Sequence, residues 1–277
     1  MHNKHIFLLS LSLMTSTLAI AQPEPGTWSV TPKVGLTTSK WTGDGETAVS
    51  LSVMDETKYE ELRASSDEYP NYELCHNRAF LRYNEEKYGL GFAGGVDFQY
   101  QLTSRWALTW GVNYSINKVK YDCDEAKVEY DYYPSFFTAK PKTFDFTMHY
   151  FHLPLMLKVY LYKGLAFSSG IQVSMLRQVY MKSESQVKFD NNHDYYCNEL
   201  IKNAQPGKWY DVEYEKTRVS RAFNRFDYFI PVSLSYDFGH VVTDARVNIG
   251  MSDIFKADDN KLRTLSMQLT VGYRFDL

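Results

Sequence analysis

Between Leu90 and Leu102 the chain alternates without a break. Leu90, Phe92, Gly94, Val96, Phe98, Tyr100 and Leu102 occupy one phase, and Gly91, Ala93, Gly95, Asp97, Gln99 and Gln101 the other. A period of two is the mark of a strand with one apolar face. Residues 106–117 repeat it, with Trp106, Leu108, Trp110, Val112, Tyr114 and Ile116 against Ala107, Thr109, Gly111, Asn113, Ser115 and Asn117. Residues 265–277 repeat it again, with Leu265, Met267, Leu269, Val271, Tyr273, Phe275 and Leu277 on the apolar side. Segments 28–38, 151–161, 228–238 and 241–251 follow the same rule, and 165–179 follows it with an interruption at Ser169. The pattern predicts eight strands.

The connections fall into two classes. Thr103-Ser104-Arg105, Tyr162-Lys163-Gly164 and Phe238-Gly239-His240 are tight turns, whereas 39–88, 121–145, 181–225 and 252–261 are long. Tight turns at one end and long loops at the other is the layout of an up-and-down antiparallel barrel in a bacterial outer membrane. With an even number of strands both termini fall at the short-turn end, which in that layout is periplasmic. Strands of about 10 residues, tilted, cross an apolar band of about 25 Å.

The facing also favours a membrane. The large apolar residues share one phase of every strand, which suits surrounding lipid. The other phase carries glycine, serine and the charges Lys33, Asp97, Lys158, Asp237, Asp244, Arg246, Arg274 and Asp276. Eight strands leave an interior just wide enough for side chains, so these charges are expected to form an ion-paired plug in the lumen. Trp28, Tyr100, Trp106, Tyr162, Tyr236, Tyr273 and Phe275 cluster near the short-turn ends, as an interfacial aromatic girdle does.

Composition narrows the class further. Lys+Arg 30 against Asp+Glu 33 gives a net charge of −3, which offers no basic footprint for nucleic acid. Mean hydropathy is −0.40, and apart from the N-terminus the chain has no apolar run of helical-span length. Aromatic residues make up 16%, far too many for a disordered chain. Residues 1–21 read as a signal peptide: Lys4 and its neighbours, the apolar stretch Ile6 to Ile20, and an Ala19-Ile20-Ala21 cleavage site. The mature chain then starts at Gln22 and works outside the cytoplasm, with the barrel expected over 22–277.

Several segments also carry a resemblance. Gly94-Gly95-Val96-Asp97-Phe98-Gln99-Tyr100, His152-Leu153-Pro154-Leu155, Ile230-Pro231-Val232-Ser233-Leu234-Ser235-Tyr236 and Val271-Gly272-Tyr273-Arg274-Phe275-Asp276-Leu277 resemble the PorT-like outer-membrane β-barrel domain family. The resemblance covers essentially the whole mature chain. It implies an eight-stranded barrel whose last strand ends in aromatic residues, here Tyr273, Phe275 and Leu277, that the barrel-insertion machinery reads. Some members of that family support a secretion system.

Candidate chemistry is sparse. Gly89 to Gly94 matches G-x-G-x-x-G, but that fingerprint needs a following helix, and here the strand runs on to Leu102. Cys75, Cys123 and Cys197 fall in three different long loops, and one disulfide among them is expected in an oxidising compartment. Their spacing does not support a metal site. His149 and His152, with Ser174 and Asp227, are the residues an acyl-transfer enzyme could use, although a lumen histidine satisfied by its neighbours is the plainer reading. Acidic clusters at Asp122, Asp124, Glu125, Glu129 and Asp131, and at Asp190 and Asp194, lack calcium-loop spacing. Residues 55–64 could form a short helix. No cofactor is expected.

The reading is therefore a non-enzymatic outer-membrane barrel, with lipid, the insertion machinery and other envelope proteins as partners. Its long loops would form a binding or accessory surface for secretion or surface assembly. A lipid-modifying enzyme and a narrow pore are the alternatives.

Overall fold

The computed structural model describes residues 24–43, 46–50, 78–129, 137–189, 205, 207–256 and 262–277. The predicted signal peptide, the predicted helix at 55–64, Cys75, Cys197, Asp131, Asp190 and Asp194 lie outside the described residues.

The strands are β1 (Trp28–Thr42), β2 (Glu46–Ser50), β3 (Arg78–Gln101), β4 (Trp106–Glu129), β5 (Phe137–Tyr162), β6 (Leu165–Phe189), β7 (Trp209–Arg218), β8 (Phe226–Phe238), β9 (Val241–Gly250), β10 (Arg263–Tyr273) and β11 (Phe275–Asp276). Eight of them close a ring, in the order β1-β3-β4-β5-β6-β8-β9-β10, with β1 paired to both β3 and β10. Every pairing is antiparallel, from Lys33 opposite Gly272 on one side of β1 to Val34 opposite Gly94 on the other. β11 continues β10 past Arg274 and pairs with the start of β1. β2 adds to the far end of β3, and β7 to the far end of β6.

All eight predicted strands are present in this ring, and the tight turns have the chemistry they require. Lys163 and Gly164 both have positive φ, 33° and 74°, the two left-handed positions of a type I′ hairpin. Thr103 Oγ1 accepts hydrogen bonds from the amides of Arg105 (3.2 Å) and Trp106 (3.1 Å), which closes the first turn.

The predicted long loops need correction. Residues 121–129 and 137–145 are strand, as are 181–189 and 209–218, and β3 begins at Arg78, so much of 39–88, 121–145 and 181–225 is sheet. β8, β9 and β10, at 13, 10 and 11 residues, have the length of a membrane crossing. β3 to β6 have 24 to 26 residues. They therefore continue by about 13 residues, on the order of 40 Å along the strand at ~3.3 Å per residue. Backbone pairing does not depend on which face is apolar, so the ladder runs on after the hydrophobic pattern stops. Cys123 accordingly lies within β4, opposite Tyr83, rather than in a loop.

The outer surface of the ring is apolar. Val34 is 71% exposed, Ile171 63% and Leu269 61%, and Phe92, Leu153 and Val271 share their orientation. Exposed apolar side chains on every strand of a closed ring are stable only where hydrocarbon covers them. Trp28, Trp106, Tyr162, Tyr273 and Phe275 form the exposed girdle expected at the short-turn end.

Candidate functional site: a sealed interior and an outer sheet

The inward phase of the strands builds the interior in layers. Nearest the short turns lie two ion-pair clusters, each balancing two cations with two carboxylates. In the first, Lys33 donates to Asp97, Arg246 Nη2 lies 3.4 Å from the same carboxylate, and Arg246 Nε lies 3.3 Å from Asp244. Asn113 Nδ2 donates to the other Asp97 oxygen at 3.0 Å. In the second, Asp237 receives Arg274 at 2.9 Å and Lys158 at 3.3 Å, and Arg274 Nε reaches Asp276 at 2.9 Å. Tyr160 donates its hydroxyl to Asp237 (3.1 Å) and accepts from Gln99 (3.0 Å). All eight predicted lumen charges are thus paired, with one correction. Asp276 is 48% exposed at the barrel end rather than inside it, because the strand opens at Arg274.

Glycines make room for these pairs. A Cβ on Gly111 would sit 2.3 Å from Asp97 Oδ1, so the bare backbone is what lets that carboxylate occupy the wall. A cavity of about 50 Å³ remains, lined among others by Lys33, Asp97, Lys158, Arg246, Ser233 and Ser235. It has space for a few waters.

Above this layer sits His152, 3% exposed. Its Nε2 is 2.7 Å from Ser115 Oγ and its Nδ1 is 2.7 Å from Ser174 Oγ, with Gln172 Nε2 at 3.1 Å from Nδ1. His152 is thus a lumen histidine hydrogen-bonded to its neighbours; the serine of the enzymatic alternative is among them, but the acid does not complete a triad. Asp227 takes its hydrogen bond from Ser252, and both nitrogens of His152 are occupied by side chains other than a carboxylate. His149 is not part of this group. It faces outward, with Nδ1 2.5 Å from Tyr114 Oη, because adjacent strand residues point to opposite faces.

Beyond His152 the interior turns apolar, largely through residues in stretches that the sequence pattern assigned to long loops. Trp41, Val119, Phe144, Phe146, Met148, Tyr150, Leu176, Val179 and Met181 from four strands pack with Val219, Phe223, Ile254, Phe255 and Leu262. The rings of Trp41 and Phe146 are 4.8 Å apart, and those of Phe223 and Phe255 are 4.7 Å apart. Phe223 and Phe255 belong to two segments that fold inward before β8 and after β9. Asn224 ties these segments together, donating to the carbonyls of Asp253 (2.8 Å) and Phe255 (3.0 Å). One sequence signal marks this cap. On β5 the apolar phase is even at Phe144, Phe146, Met148 and Tyr150, then odd from Phe151 onward. The adjacent pair Tyr150-Phe151 is where the apolar face changes sides.

Past the cap, β2 to β7 form a sheet, and three ion pairs among its described residues lie outside the barrel. Lys142 lies 2.6 Å from Asp211, Lys182 bonds Glu213, and Lys120 is 3.9 Å from Asp145. The hydrogen bonds from Lys142 and Gln186 hold the Asp211 carboxyl below its ordinary range, and the Glu213 carboxylate raises the Lys182 ammonium. Among the described residues no group of three histidine, cysteine, aspartate or glutamate side chains could hold a metal ion. The glycine fingerprint at Gly89 to Gly94 lies wholly within β3, with strand on both sides.

A closed antiparallel ring with lipid-facing apolar residues and a filled interior defines a transmembrane β-barrel. The model of one family, the outer membrane protein beta-barrel domain, matches residues 20–256, and the chain belongs to that family. Its place is therefore the outer membrane. Among solved structures the chain is similar to Ail, the attachment invasion locus protein of Yersinia pestis (12% identity, TM-score 0.34, covering 91% of this chain and 99% of that one). It is also similar to Neisserial surface protein A (10%, 0.32, 90% and 96%) and to the outer membrane protein OprG of Pseudomonas aeruginosa (8%, 0.31, 92% and 98%). No curated protein matches the chain.

Proposed function

We propose that this protein is a non-enzymatic binding or accessory protein of the cell surface and that its working face is the sheet formed by β2 to β7. The observation that carries this reading is the contrast between a filled barrel and four strands that continue by about 13 residues past the membrane band. A barrel closed by ion pairs and an aromatic cap offers solutes no path, and a hydrogen-bonded outer sheet is a suitable platform for contact. In this reading the signal peptide is removed after Ala21, the termini are periplasmic, and the outer sheet faces the medium. Tyr273, Phe275 and Leu277, all exposed on the outward face of the last strand, present the signal for the insertion machinery. Within the family, the PorT-like group fits the strand texture, and support of secretion or surface assembly through other envelope proteins is the role we assign. Chemistry at Ser174 and His152 is set aside because the apolar cap covers them and no carboxylate orients the histidine.

Cross-linking on intact cells followed by purification tests the role. The expected result is one or more envelope proteins attached to peptides of 78–90, 120–145 or 180–218. Recovery of the barrel alone, together with lipid A mass spectra altered by loss of the gene, would overturn it in favour of an enzyme.

A further inference from the structure

The outward face of the strands changes character in steps at the extension end. At this end the exposed positions Phe151, Val173 and Ile230 stand beside the aromatics Tyr114, Phe226 and Tyr228, since Tyr114 pairs with Phe151 and Tyr228 with Val173, and His149 is the next outward position along β5. Immediately above are the cations Lys118, Arg177, Arg225 and Lys216, all exposed. They are brought together by the ladder. His149 pairs with Ile116 and Gln178, Lys118 stands opposite Thr147, Arg177 is the bulged residue beside Gln178, and the Arg225 carbonyl accepts from Leu176 (2.8 Å). Lys216 lies 4.3 Å above the Tyr180 ring, which meets the His149 ring edge-on at 5.8 Å. None of these four cations has a carboxylate within 4 Å among the described residues. One level further out, by contrast, Lys120, Lys182 and Lys142 each have one, in Asp145, Glu213 and Asp211.

Unmatched cations confined to the level where headgroups lie, directly above an aromatic belt, are complementary to anionic lipid. We infer that Lys118, Arg177, Lys216 and Arg225 form a docking site for the phosphates of an outer-leaflet glycolipid, with its acyl chains against Phe151, Val173 and Ile230. The continuity of the patch with the lipid-facing band selects a lipid-borne phosphate over a free one. This inference rests on the proposed outward orientation of the sheet.

The test uses the full folded chain in detergent, where binding does not depend on orientation in the cell. Native mass spectrometry with bis-phosphorylated lipid A is expected to show tighter retention than with the same lipid stripped of its phosphates. Each basic residue near a headgroup layer contributes about five-fold. Lys118→Gln, Arg177→Gln and Arg225→Gln together should therefore weaken retention by on the order of a hundred-fold. A Lys142→Gln/Lys182→Gln control should retain the lipid as the parent does, and heat-modifiable gel mobility shows whether each variant is folded. Equal retention of the two lipids, unchanged retention by the folded triple variant, or displacement by millimolar inorganic phosphate would overturn the site. Labelling of Lys142 on intact cells with a membrane-impermeant amine reagent tests the orientation separately. Labelling only after rupture would overturn the orientation without touching the result in detergent.

Discussion

The two halves of the barrel interior share the same eight walls and fill them by opposite means. Near the short turns, serines, glycines and two neutral ion-pair clusters occupy the lumen; beyond His152, an aromatic cap from four strands and two inward segments does so. The outside changes with the inside: around the polar half the outward positions are apolar and face lipid, whereas around the cap they are Lys118, Lys120, Asp145, Thr147, His149 and Arg177. What also differs is what closes each half. The polar half is filled from the strands alone, and charges can be buried there because every one has a partner. The apolar half also recruits chain outside the ring, Val219, Phe223, Ile254, Phe255 and Leu262, and its stability follows packing rather than pairing.

This contrast can be broken from either side. Asp237→Ala should cost the most, about 3–5 kcal/mol, because it leaves Lys158 and Arg274 buried without their shared carboxylate. The urea midpoint of the barrel in phospholipid vesicles, followed by tryptophan fluorescence, measures it. In the cap, Phe223→Ala should cost about 3 kcal/mol in the same assay. That is the lower end for a buried phenylalanine, since its segment lies outside the main ladders and can settle into the gap. Gly111→Val should cost about 1–3 kcal/mol, because its Cβ would meet both Asp97 Oδ1 and the Val96 carbonyl oxygen, and a background where Asp97 is already alanine should relieve only the first of these. Ser174→Ala should cost only about 1 kcal/mol, because Gln172 remains 3.1 Å from the freed His152 nitrogen.

The outer sheet supplies the smallest effect. Asp211→Asn should leave the midpoint unmoved within error, since the Lys142 pair is solvent-exposed and screened. The sign of its pH dependence is fixed. A carboxyl held below its usual range stabilises the fold above that range, and the contribution disappears as pH falls through the lowered value. Titration of Asp211 by NMR, in the parent and in Lys142→Gln, measures the shift and its main cause.

How much was legible in the sequence follows from where one face of a strand must be apolar. The ring strands were readable because lipid imposes a two-residue period on each, and the charges of the polar half were readable as the complementary phase. The extensions of β3 to β6 were read as loops because acids and lysines such as Asp122, Asp124, Lys182 and Glu184 break the alternation there, although the backbone ladder continues through them. The cap was missed for a different reason. Phe144, Phe146, Met148 and Tyr150 lay in a stretch assigned to loop, and Phe223 and Phe255 reach the lumen only through long-range closure of the ring. The His152 pairing with Ser174 was foreseeable, whereas its second partner, Ser115 on β4, required the register.

Planar-bilayer recording tests most directly whether both halves seal the barrel. The parent protein and a Phe223→Ala/Phe255→Ala variant, which opens the cap but leaves the ion pairs intact, should both give no discrete conductance steps. Reproducible single-channel steps from the parent would contradict a closed interior, and steps from the variant alone would mean that the cap is the only seal.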